Sequence, residues 1–156
     1  MIRVLSILVS LGFAALSVSA QDGYRGIIPL ITDRSEVERV LGRPDKNSPY
    51  ELGEVRVSVF YRDPGCDKPA TTCSCMVSAD KVVLIVVKPH ISITIADLNL
   101  DLKDWKIAEV KDHLPGLLTY SHPKSGITYR VNDGIVTSIQ YAPTAENCKK
   151  VKERKT

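Results

Sequence analysis

The sequence predicts an α+β fold: an antiparallel β-sheet with one or two short helices packed on one face, braced by disulfides. Three observations carry this. Val55–Tyr61 alternates apolar and polar residues as a half-buried strand does. Asn132-Asp133-Gly134 separates two further alternating runs and reads as a hairpin turn. One short, well-capped helix pattern precedes the strands, and the strands then follow one another across short turns rather than alternating with helices.

Residues 1–20 come first. Arg3 is followed by a nearly unbroken apolar run from Val4 to Val18, and Val18-Ser19-Ala20 places small residues before the polar Gln21-Asp22-Gly23. This is the layout of a secretory signal peptide cleaved after Ala20. The run spans about 15 residues, short of the roughly 20 that cross a bilayer as a helix. No cysteine lies at the junction, so the expected product is secreted or periplasmic without a lipid anchor, and no later stretch reads as a membrane span. Residues 21–156 are expected to form a single domain with one core, ending in a basic tail from about residue 149.

Gln21 to Ile31 is expected to be short and extended, with Pro29 marking an edge. Asp33 (or Thr32) caps a helix in which Val37, Val40 and Leu41 share one face while Arg34, Glu38 and Arg39 face water. Gly42 ends it and Pro44 blocks its continuation. In Val55–Tyr61, Val55, Val57, Val59 and Tyr61 point one way; Arg56, Ser58 and Phe60 point the other. Asp63-Pro64-Gly65 opens a cysteine-containing loop. Val82 to Val87 is apolar throughout and reads as a central strand buried on both faces.

Ile91 to Leu102 is ambiguous, with a short helix near Ala96–Leu102 as one reading. Trp105–Val110 and Leu117–Ser121 read as strands around a turn at Pro115-Gly116. Ile127, Tyr129 and Val131 then face one way into the Asn-Asp-Gly turn, and Ile135, Thr137, Ile139 and Tyr141 return from it. Thr144 caps a short C-terminal turn that carries Cys148.

The four cysteines, Cys66, Cys73, Cys75 and Cys148, are even in number in a chain read as exported, which points to disulfides. Cys73 and Cys75, with one residue between them, are poor partners for each other. Two pairings follow: Cys66–Cys73 with Cys75–Cys148, or Cys66–Cys75 with Cys73–Cys148. Thiolate metal binding and redox chemistry are the competing uses, but the C-x6-C-x-C spacing fits no common zinc module.

From Leu30-Ile-Thr-Asp-Arg-Ser-Glu-Val-Glu-Arg-Val-Leu-Gly-Arg-Pro44 onward the chain resembles the SmpA/OmlA family of outer-membrane assembly lipoproteins, whose fold is shared with domains of the β-lactamase-inhibitor-protein type. Thr32, Val37, Leu41, Gly42, Pro44 and Tyr50 occupy the cap, core, stop and strand-opening positions of that pattern. Elsewhere the chain resembles uncharacterised secreted bacterial proteins. The resemblance implies a bacterial envelope or extracellular protein and bears on fold more than on function.

The formal charge of +3 becomes +2 without Arg3, which argues for neither nucleic acid nor a strongly acidic partner. His90, His113 and His122 lack metal-ligand spacing, and Asp97, Asp101 and Asp104 read as solvated carboxylates rather than an acid/base pair. No nucleophile elbow or phosphate loop is present. The expectation is a non-enzymatic binding or assembly module without catalytic residues, metal or cofactor, whose partner is another envelope or extracellular protein. Its expected interaction surface is Phe60 with Arg56 and Arg62, an aromatic beside arginines, although cover by the helix would make Phe60 ordinary core. The alternatives are a secreted inhibitor of a hydrolase, using the cysteine-braced loop at 62–76, and a metal- or redox-active protein built on Cys66, Cys73 and Cys75.

Overall fold

The computed structural model describes residues 23–44, 49–62, 73–110 and 116–154. The signal-peptide reading, the Asp63-Pro64-Gly65 turn, Cys66, His113 and Pro115 lie outside them.

Helix α1 (Arg34–Leu41) forms where its caps dictate. The Asp33 carboxylate accepts from the Glu36 N–H at 3.0 Å and from the Ser35 hydroxyl at 2.7 Å. Glu36 does not reach back to complete a reciprocal box; its carboxylate takes the Arg39 guanidinium instead. Gly42, at φ 86°, ends the helix and donates its N–H to the Glu38 carbonyl. Val37 and Leu41 are the buried face. Each such side chain contributes roughly 1.5–3 kcal/mol on leaving water.

Seven strands follow: β1 (Tyr50–Leu52), β2 (Val55–Tyr61), β3 (Val82–Pro89), β4 (Lys106–Glu109), β5 (Leu117–His122), β6 (Ile127–Asn132) and β7 (Ile135–Tyr141). All pair antiparallel in one sheet of order β1-β2-β3-β7-β6-β5-β4. Two sets of consecutive strands, β1–β3 and β4–β7, are thus joined through their last members. Helix α2 (Ala145–Glu153) closes the chain. Thr144 caps it with a full capping box, its hydroxyl accepting from the Asn147 N–H while the Asn147 side chain accepts from the Thr144 N–H. The fold is α+β, as the sequence predicts.

Residues directly opposite across antiparallel strands share a sheet face. Val57 opposes Val87, Val87 opposes Ile139, and Tyr129 opposes both Ile139 and Tyr120, so these lie on one side. The buried cluster combines that side with Val37 and Leu41 of α1, and Ile93, Ile95, Leu98, Leu100 and Trp105 of the β3–β4 connector pack against it.

Several local expectations change. Residues 23–32 are not an extended edge but a tight turn: Tyr24 and Ile27 exchange backbone hydrogen bonds, and Ile27 and Leu30 are buried. Gly23 permits this at φ +64°, where a Cβ would lie 2.0 Å from the Ile27 carbonyl oxygen. The 96–102 stretch is not an α-helix; turns lead into a 3-10 helix at Leu102–Asp104, because Thr94 and Asp97 hydrogen-bond each other and divert the backbone. In β7 the pairing shifts between Arg130 and Val131, which sets Val136 inward and turns Ile135 and Thr137 outward. A bulge of this kind reverses the alternation beyond it. β3 lies inside the sheet as expected, but Leu84 and Val86 on its second face are only half-buried. Lys149, Lys150 and Lys152 are helical rather than a frayed tail, with Lys150 paired to Glu146 at 2.8 Å and Val151 buried.

A disulfide joins Cys73, in the 3-10 helix Cys73–Met76, to Cys148 of α2. This belongs to the second of the two expected arrangements. Cys75 is disulfide-bonded as well.

Candidate functional site

The sheet face opposite the core is built by the alternate residues of the same strands. Phe60 opposes Leu84, Ser58 opposes Val86, and Arg56 opposes Lys88. Phe60 is 49% exposed, so it is not ordinary core beneath a helix. With half-buried Leu84 and Val86 beside it, Phe60 forms an apolar corner of this face. The alternation that exposes it is the one that buries Val57 completely.

Arg56 extends from the same face. Its Nε donates to Glu51 Oε1 at 2.6 Å, and Glu51 Oε2 lies 3.2 Å from His90 Nε2. This network sits at the β1–β2 hairpin, on the rim of a cleft bounded by Leu41, Arg43, Pro44, Tyr50 and Leu52. Arg62 lies just beyond β2, past a register shift between Phe60 and Tyr61, and is half-buried with its N–H donated to the Lys81 carbonyl. The residue left without an opposite number at that shift is Val83 of β3, so the alternation of β2 itself runs on through Tyr61.

Behind this corner, on the core side, Tyr61 pairs with Tyr50. Burial, reinforced by the neighbouring Tyr50, pushes the Tyr61 hydroxyl up to about 12, and it stays protonated. The Arg34 guanidinium stacks 4.0 Å from the Tyr61 ring centre, tying α1 to the end of β2. This cluster anchors the strand that presents Phe60.

The other titratable groups are placed by local structure. His122 Nδ1 lies 2.8 Å from the Ser125 hydroxyl, and its ring stands 5.1 Å from that of Trp105, which also stacks on Tyr129. Asp97 accepts from the Thr94 hydroxyl and N–H, which together hold its carboxyl below the ordinary range. Asp101 accepts from the Lys103 N–H, and Asp104 pairs with Lys124 at 3.3 Å. Among the described residues, no three His, Cys, Asp or Glu side chains are grouped closely enough to hold a metal ion. The sulfurs of Cys73, Cys75 and Cys148 are all committed to disulfides.

Sequence reasoning did not find the cations that share Phe60's face from distant strands: Lys88 on β3, Arg130 on β6 and Lys106 on β4. Lys88 and Arg130 alternate with buried apolar residues on their own strands, whereas β4 is exposed at every position and gives no such signal for Lys106. Only the strand order brings them side by side.

Comparisons with family models, with curated proteins and with solved structures return no match to this chain. The class is accordingly the one its fold defines: an α+β protein whose described residues form a seven-stranded antiparallel sheet and two helices, with a disulfide. Among the described residues, no helix is long and apolar enough to cross a membrane.

Proposed function

We propose that this chain is an exported, non-enzymatic binding module of the bacterial cell envelope that meets a protein partner through the sheet face carrying Phe60. The observation that carries the reading is the exposure of Phe60 beside Leu84, on a strand whose opposite face is core. An exposed aromatic on a face that also presents an arginine, Arg56, four residues along the same strand, is a residue mix enriched at protein interfaces. In this reading α1 covers the core side and the Phe60 corner is left to the partner. The leader at residues 1–20 and the disulfide both favour an oxidising compartment outside the cytoplasm. The likeness of Leu30–Pro44 to the SmpA/OmlA segment favours the envelope.

A photocrosslinking residue placed at position 60, in protein exported by its native host, tests this. A reproducible protein adduct is expected from position 60 and not from position 119, which lies on the same face four strands away. Equal adducts from both positions, or none from position 60, would reject the reading.

A further inference from the structure

The half of the outer face away from Phe60 has a composition of its own. Gln140 opposes Val86 on one side and Thr128 on the other, Thr128 opposes Ser121, and Ser121 opposes Lys106. These residues form one row across β3, β7, β6, β5 and β4. In the next row Arg130 lies between Ser138 and Thr119, and continuing the β3–β7 register by one residue brings Lys88 level with Ser138.

Lys88, Arg130 and Lys106 thus stand on every second strand of this run. At about 4.8 Å per strand, Lys88 and Arg130 are about 10 Å apart within one row, and Lys106, two strands further on and one row over, is about 12 Å from Arg130. All three are exposed, and none has an ion pair among the described residues. Between them lie hydroxyls and an amide rather than carboxylates, and Thr128 and Ser121 already hydrogen-bond each other at 3.1 Å.

We infer that this strip binds a linear acidic polysaccharide lying across the strands. Charge complementarity selects an anion, because Lys88, Arg130 and Lys106 face outward with no acid between them. The Lys88–Arg130 spacing suits a polymer with one carboxylate on every second sugar, with Lys106 meeting a following carboxylate from the adjoining row. The Gln140–Thr128–Ser121 row supplies donors and acceptors for sugar hydroxyls. A nucleic acid would present a denser charge than three cations on alternate strands can match, and an apolar-anchored peptide would be drawn to the Phe60 corner instead. The module would then carry two surfaces on one face, a glycan strip over β3–β4 and a protein-binding corner at β2.

Calorimetric titration of the mature protein at low salt with a hyaluronan oligosaccharide, which bears one carboxylate per two sugars, tests the assignment. The K88Q/R130Q/K106Q variant should bind about tenfold more weakly, the combined effect of three exposed charges. Lys-to-Arg replacement at positions 88 and 106 should preserve binding. K149Q/K152Q/R154Q removes the same charge from α2 and should bind within about twofold of the parent. The near-ultraviolet circular dichroism of every variant should match the parent.

The inference is overturned if the parent gives no saturable binding, or if the α2 variant loses as much affinity as the strip variant. It is equally overturned if poly-L-glutamate binds as tightly as the glycan, which would make the ligand an acidic polypeptide. The crosslinking result at position 60 is independent of each outcome.

Discussion

Replacing Cys73 and Cys148 together by alanine tests how far α2 depends on its covalent tie. The two residues are 75 positions apart with Cα atoms 5.4 Å from each other. In the chain-entropy model a closed loop of that length removes about 4.5 kcal/mol of unfolded-state freedom at 25 °C. Against it stands little packing: of α2, only Val151 is buried. The double variant should therefore lose about 4 kcal/mol in urea unfolding followed by tryptophan fluorescence, which reads Trp105 where it packs against the core. Hydrogen exchange should show α2 opening before the sheet. A loss under about 1 kcal/mol, with α2 amides as protected as before, would refute the argument. The unfolded chain would then already hold these ends together, or α2 would be fastened by contacts other than the bridge.

Four further outcomes follow from particular residues. Ile85→Ala, at a fully buried site, should cost about 2–5 kcal/mol, whereas Leu84→Ala on the outer face should cost well under half of that by thermal or urea unfolding. Gly126→Ala would place a Cβ 2.2 Å from the Ala142 carbonyl oxygen at φ +70° and should cost at least about 1–3 kcal/mol in the same assay. Thr144→Ala removes the capping box of α2 and should cost about 0.5–2 kcal/mol, with faster exchange at the Asn147 amide. Asp33 is held below the ordinary carboxylate range first by the Ser35 hydroxyl and then by the Glu36 N–H and Lys81. Its cap therefore stabilises the fold fully above the unfolded Asp range and loses that contribution as pH falls through the lowered folded value. The difference in melting temperature between the parent and Asp33→Ala should shrink on acidification, and a difference that grows would contradict the assignment.

What could be read from the sequence was whatever is encoded locally. The strand Val55–Tyr61 was visible because its alternation persists over its whole length, and α1 because Asp33 and Gly42 mark both ends. The β6–β7 turn was visible because Asn132-Asp133-Gly134 needs two positive φ angles, which Asp133 and Gly134 adopt at 48° and 78°. The bulge that turns Thr137 outward was not visible, since one extra residue changes phase without changing composition. The 23–32 turn was missed because its apolar residues read as a strand, while its shape depends on Leu30 donating to the Val82 carbonyl and Val82 donating to Thr32, some fifty positions away. The site divides in the same way. Phe60 and Arg56 lie on one strand and are read together, whereas Lys88, Arg130 and Lys106 become neighbours only through strand order.

That order also governs how the chain comes together. The seam between the two strand sets is the β3–β7 pairing, in which Val87 meets Ile139. During synthesis from the N-terminus, the first three strands emerge long before β7 and leave the apolar edge of β3 without its neighbour. Such a half-sheet is prone to stick to another copy until the last strand arrives. Final assembly is thus a late, long-range event, and slow emergence of residues 135–141 would lower the yield of active protein without altering any finished contact.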